Sequence, residues 1–193
     1  MYFATLLRKH LKNLLPGLAY MLAAFLLVPR SAAGEGVAPP AVPEAVRARW
    51  LMGTVLEVRL AGGRLDAGSL AEAVFAAVSE VESAASLWRP GTELGEVHAR
   101  AAAGEAVVVS ETLGGLVSEA LRVAELTDGA YSPAIGALAS AYDLRGDGRL
   151  PSEPERRRSA ALADPRGVRY DPESRRLRLS PGVPLDLAGI AKG

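Results

Sequence analysis

The residues best suited to do chemistry stand at the end of the chain, in Val183-Pro184-Leu185-Asp186-Leu187-Ala188-Gly189-Ile190-Ala191-Lys192-Gly193. One carboxylate, Asp186, precedes a small-residue pair and one ammonium, Lys192. A carboxylate there can bind a hydroxyl, an amine or a metal, and a Lys faces a phosphate as a point charge. Ala188-Gly189 keeps side-chain bulk away, so backbone N–H and C=O groups can approach a ligand. The combination suits a nucleotide. It equally describes a strand end with a solvated Asp and Lys, because short motifs match by chance.

Other segments offer complementary chemistry. Trp88-Arg89 can stack a flat heterocycle and hold its phosphates, or Trp88 can simply cover the edge of a core. In Gly129-Ala130-Tyr131-Ser132-Pro133, a Tyr and a hydroxyl precede a Pro that suits a helix start, where backbone N–H groups can hold an anion. The plainer reading is a tight helix-to-helix connection. Gly53, within Met52-Gly53-Thr54, marks a bulge or a closely approaching ligand in a strand. His98 sits on an Ala-rich segment and reads as a surface residue. Asp143 to Gly148 looks like a calcium loop but lacks the acidic third ligand and the terminal Glu, so it is excluded.

The elements that must position these groups follow from periodicity. Val183, Leu185 and Leu187 alternate with Pro184 and Asp186, which predicts a short strand. Leu56, Val58 and Leu60 alternate with Glu57 and Arg59, a half-buried strand within Arg49 to Leu60. Ser69 to Glu72 fits a capping box, and Leu70, Val74, Ala77, Val81 and Ala85 then recur at helical spacing. Thr92 caps a short helix through His98, and Ala106 to Val109 is a strand. Ser110 caps a helix with Leu113, Val117, Leu121 and Ala124 on its apolar face, ended by Gly129. Asp143 to Pro154 is a loop, and Glu155 to Leu162 a charged helix. Val168 to Asp171 and Arg176 to Ser180 form a hairpin whose Arg residues line a solvated face. This order predicts a mixed α/β fold, with a twisted, largely antiparallel sheet and helices packed against it.

The chain has 193 residues, no net formal charge and no Cys. That length predicts one domain, with or without a small subdomain, and the neutral balance gives no footprint for nucleic acid. The absence of Cys excludes disulfides, thiolate metal sites and a Cys nucleophile. Residues 1–33 read as a secretory signal: Arg8, Lys9 and Lys12, then an apolar run from Leu14 to Val28, then Ser31-Ala32-Ala33 for cleavage before Gly34. The apolar run is short for a membrane span, and an uncleaved anchor is the alternative. Residues 34–46, rich in Pro and small residues, read as a tether, and 47–193 as the domain. The expected location is therefore the periplasm or the outer face of the inner membrane, touching the membrane only through the signal segment.

In order and spacing, four segments resemble the FAD:protein FMN transferase (ApbE) family. They are Met52-Gly53-Thr54; Ser86-Leu87-Trp88-Arg89-Pro90 with Glu93-Leu94; Thr127 to Leu138; and Asp186 to Gly193. The resemblance covers Trp50 to Gly193, the N-terminal part of such a domain, and implies an ApbE-like (T-fold-like) α+β fold, incomplete at its C-terminus. It implies that FAD and Mg2+ are bound, that FMN passes to a Thr or Ser of a target protein, and that AMP leaves. Met52, Trp88, Ala130, Tyr131, Ser132, Asp186 and Lys192 would contact FAD, with Lys192 near the pyrophosphate. Gly189 would offer its backbone carbonyl to Mg2+. The acceptor would be an exported or membrane-attached flavoprotein of a redox complex.

Two substitutions depart from that pattern: Ser132 stands where Asp is common, and Tyr142 where Trp is frequent. The family's later His-containing region and its acidic-then-Thr metal site have no counterpart in residues 1–193. The expectation is that the chain is a fragment, inactive alone, with its catalytic groups outside it. The alternatives are a periplasmic module that binds FAD or a flavoprotein without catalysis, and a non-enzymatic protein whose turns are purely structural.

Overall fold

A computed structural model describes residues 44–61 and 66–192. The stretch read as an export signal, and residues 34–43 of the tether, lie outside the described residues. Among the described residues, no helix is long and apolar enough to cross a membrane. The chain divides into two compact units, with the boundary after Ser79.

In the first unit, β1 (Glu44–Leu51) and β2 (Thr54–Ala61) form an antiparallel hairpin, Leu51 opposite Thr54 and Glu44 opposite Ala61. Periodicity predicted one strand here, with Gly53 as a bulge or a point of close ligand approach. Instead Met52 and Gly53 form a two-residue turn with φ 53° and 73°. Positive φ at both positions matches the right-handed twist of the flanking strands, which is why such turns close hairpins. Met52 takes this conformation without the small or polar side chain that usually accompanies it, so its type gave no turn signal. Pairing also begins at Glu44, three residues inside the stretch read as tether.

Helix α1 (Ala67–Ala85) follows. Its start was expected at the Ser69 box, but Asp66 caps it. The Asp66 carboxylate accepts the Gly68 N–H at 3.1 Å and the Ser69 N–H at 3.0 Å, satisfying two otherwise orphan donors. Leu51, Val58, Ala71, Phe75 and Val78 form the buried core of this unit, with Met52, Leu56, Leu60 and Val74 packed against it. Arg49 lies over the Phe75 ring at 4.5 Å and pairs with Glu72 through both carboxylate oxygens.

In the second unit, Thr92 caps α2 (Glu93–Ala101), accepting the Gly95 N–H at 3.3 Å and donating to Ser86 O at 2.7 Å. Ser110 caps α3 (Glu111–Leu126), accepting from Leu113 N at 3.0 Å. Ser110 is itself held by Glu93, which accepts its N–H and its hydroxyl. Helix α3 buries Leu113, Leu116, Val117, Ala120 and Ala124. Beyond it come α4 (Gly136–Ala141) and α5 (Glu153–Ala161).

A three-stranded antiparallel sheet takes the order β3 (Val107–Val108), β5 (Arg176–Leu179), β4 (Val168–Asp171). Gly114 of α3 sits under Tyr170 of β4; a Cβ at Gly114 would lie 2.1 Å from the Tyr170 Oη. The fold is thus mixed α/β, as expected, but its strands divide between two small sheets.

Candidate functional site

The Asp186 segment is buried without being a strand. Val183, Leu185 and Leu187 are buried, as their alternation demands, yet the segment joins neither sheet. Its backbone donors find separate partners. Val183 N donates to Ser180 O at 3.1 Å, and Asp186 N to Pro133 O at 2.7 Å. Leu185 N donates to the Nε2 of His98 at 3.0 Å. Gly136 allows the close approach of this segment to α4, since a Cβ there would meet Pro184 O at 2.7 Å. Four-residue helix α6 (Ala188–Ala191) then carries the chain to Lys192.

Asp186 is only 9% exposed, and both of its oxygens are engaged. Oδ1 accepts the Ala188 N–H at 2.9 Å, and Oδ2 accepts a guanidinium N–H from Arg145 at 2.7 Å. A carboxylate this buried needs such partners, because desolvation without compensation is costly. The Arg145 Cζ also lies 6.0 Å from the centroid of the Trp88 ring, at the outer limit for a cation–π contact. Trp88 is 68% exposed, so its indole is available to a ligand.

Tyr131 closes the other side. A Cβ on Gly189 would meet its Cε2 at 3.2 Å, so the ring lies close over the glycine. Its hydroxyl is buried and, among the described residues, has no hydrogen-bond partner. Burial first, and the Asp186 charge second, push its pKa up to about 12. A buried hydroxyl with no partner is uncommon in a native fold.

Arg145 thus joins Asp186 to Trp88, while Tyr131 lies over Gly189 and feels the Asp186 charge. Ala130 is exposed in the preceding turn, and Lys192 is exposed at the end of α6. Ser132 turns its hydroxyl inward, donating to Ala163 O at 2.6 Å and accepting from Ala134 N at 3.1 Å. Met52 lies in the hairpin turn of the first unit. Among the described residues, no group of three His, Asp or Glu side chains could hold a metal ion.

Sequence reasoning missed two residues. His98, read as a surface residue, is half-buried and accepts the Leu185 N–H. Burial holds its pKa below the ordinary value, and an Nε2 lone pair that accepts a hydrogen bond requires the neutral ring. Arg145 stands 41 positions from Asp186, beyond any local spacing rule. Its one trace in the sequence was negative: it is the basic residue at the position where a calcium loop needs an acid.

A family model described as the ApbE family matches residues 52–193. The FAD:protein FMN transferase of Treponema pallidum (strain Nichols) is 30% identical over 162 residues, covering 79% of this chain and 44% of that protein. The crystal structure of the ApbE protein from Thermotoga maritima matches with a TM-score of 0.72 at 25% identity, over 78% of this chain and 49% of that one. The flavin transferase ApbE from Vibrio cholerae matches with a TM-score of 0.68 at 23% identity, over 78% and 50%. The chain thus spans about half the length of the relatives it matches.

Proposed function

The chain belongs to the ApbE family, and from that premise we propose that it takes FAD as substrate for the covalent flavinylation of an exported protein. The oxygen of an acceptor Thr or Ser hydroxyl would attack the FMN-side phosphorus. A new phosphate ester bond forms, the pyrophosphate P–O bond breaks, AMP leaves with that oxygen, and the hydroxyl proton is lost to solvent. Positioning and charge neutralisation dominate such transfers, so the groups that hold the pyrophosphate matter most.

One observation supports this reading above the others: an engaged, buried Asp186 lies with an exposed indole, a guanidinium and an unpartnered Tyr131 hydroxyl in one neighbourhood. Trp88 offers a face for the isoalloxazine or adenine ring. Asp186 offers a carboxylate to ribose hydroxyls or to an exocyclic amine. The Tyr131 hydroxyl lacks the acceptor that a bound nucleotide would supply. Lys192, exposed beyond α6, suits the pyrophosphate. Ala130 and Ser132 complete the proposed FAD set of the second unit, Ser132 through its backbone because its hydroxyl is already committed; Met52, in the hairpin turn of the first unit, belongs to the set by the resemblance alone.

Mg2+ fits the described residues poorly. The Gly189 carbonyl is a single ligand, and no acidic or His cluster accompanies it among the described residues. No step through Mg2+ therefore follows from these residues. The basic-then-apolar N-terminus supports export to the periplasm, with a flavoprotein of a membrane redox complex as acceptor.

Flavin fluorescence during titration with FAD tests the reading. Saturable binding is expected, and failure to bind any flavin nucleotide would overturn it. A second reading is a module that binds FAD without transferring FMN, in which Asp186, already accepting from Ala188 and Arg145, only positions the nucleotide. Adding Mg2+ and an acceptor peptide separates the two, since covalent flavin on the peptide rules out the second.

A further inference from the structure

We propose that Arg145 is a specificity-determining residue that clamps the phosphates of the nucleotide and is held ready by Asp186 and Trp88; this rests on the reading of the site as an FAD site. The guanidinium has five N–H donors in a rigid fork. Among the described residues, the fold places one hydrogen bond on this side chain, the 2.7 Å bond to Asp186 Oδ2. Its side chain is one-third exposed, so the remaining donors are accessible to a ligand.

Other arginines of the second unit have different surroundings. Arg122, Arg156, Arg157 and Arg166 pair with carboxylates two to four positions away and are more than half exposed. Those are ordinary surface pairs of small energetic value. Arg145 instead reaches across 41 positions to a carboxylate that is itself buried. Its Cζ is 6.0 Å from the Trp88 ring, the same ring that is exposed for a flat heterocycle. A base or flavin stacked on Trp88 would bring its own phosphates near this guanidinium. A planar fork binds a phosphate through two parallel N–H···O bonds, which a Lys cannot do. Arg145 lies in the turns after α4, between Asp143 with φ 51° and Gly148 with φ 77°.

The rival role is a tether that only steadies Asp186. The two differ in what they discriminate. A phosphate clamp distinguishes FAD from riboflavin, which has no phosphate, whereas a tether affects both alike. The test is fluorescence titration of FAD and of riboflavin with the full chain and with Arg145→Gln and Arg145→Lys, folding being checked by circular dichroism. FAD affinity should fall about ten- to a hundredfold in Arg145→Gln with riboflavin affinity unchanged, as for loss of a charged hydrogen-bond pair. Arg145→Lys should recover part of the loss, and it serves as the test if the Gln variant does not fold. Equal losses for both ligands, or no loss for either, would overturn the clamp while leaving the FAD reading intact. A wild-type chain that binds no flavin nucleotide overturns the FAD reading itself, and the clamp with it.

Discussion

The hairpin of residues 44–61 and the terminal segment of residues 183–192 share a pattern of alternating apolar residues, and they are held in different ways. In the hairpin, strand pairs with strand in continuous register, and one face joins the cluster around Phe75. In the terminal segment the alternating apolar side chains are more deeply buried, but the backbone donors go to an imidazole, a turn carbonyl and a carbonyl beyond Tyr131. Alternation reports which side chains are buried; it does not report what satisfies the backbone. A ladder is a repeating solution that tolerates change at single positions. A set of unlike bonds depends on each partner, and such irregular backbone suits a place where a ligand must approach.

That contrast can be broken or sharpened by substitution. Phe75→Ala should cost the most, about 3–5 kcal/mol by urea denaturation, because it empties the centre of the hairpin's core. A loss below about 1 kcal/mol would show that packing is not what holds the hairpin. In the terminal segment, Gly136→Ala should cost about 1–3 kcal/mol, since the new methyl would press on the Pro184 carbonyl rather than leave a void. It should also weaken FAD binding, whereas Phe75→Ala at matched folded fraction tests whether the hairpin matters to binding at all.

His98 gives the contrast a pH axis. Its folded pKa lies below the ordinary 6.5, so the unfolded chain takes up the proton first as pH falls. Its stabilising effect is complete above about pH 6.5 and is lost progressively as pH drops from there toward the folded pKa. Urea midpoints measured from about pH 8 to 5 should show that decline, and His98→Gln, which keeps an acceptor but does not titrate, should flatten it. An unchanged profile in the variant would sink the assignment. Gly53→Ala should have the smallest effect, about 1 kcal/mol: nothing lies within 4 Å of its Cβ position, so only the positive φ of 73° resists the change.

Much of the fold was legible in the sequence because periodicity and caps are local. Thr92 and Ser110 begin their helices as read, and Val168 to Asp171 pairs with Arg176 to Leu179. The misreadings share a cause. Met52 gives no sign of its left-handed turn, Asp66 displaces Ser69 as a cap by reaching two donors, and residues 183–187 imitate a strand. Each is decided by a competing local geometry or by a distant partner. At the site, Trp88, Tyr131 and Asp186 stood out by residue type, but Arg145 and His98 matter through contacts 41 and 87 positions away.

The notch at Gly114 has a consequence for how the β4–β5 pair finds its place. Tyr170 fits only where the helix surface lacks a side chain, since even a methyl group would collide with its hydroxyl. Sliding β4 by one residue would turn Tyr170 to the opposite side of the sheet and leave the notch empty. Tyr170 and Gly114 thus act as key and keyway, rejecting misaligned pairings that hydrogen bonding between the strands alone would accept.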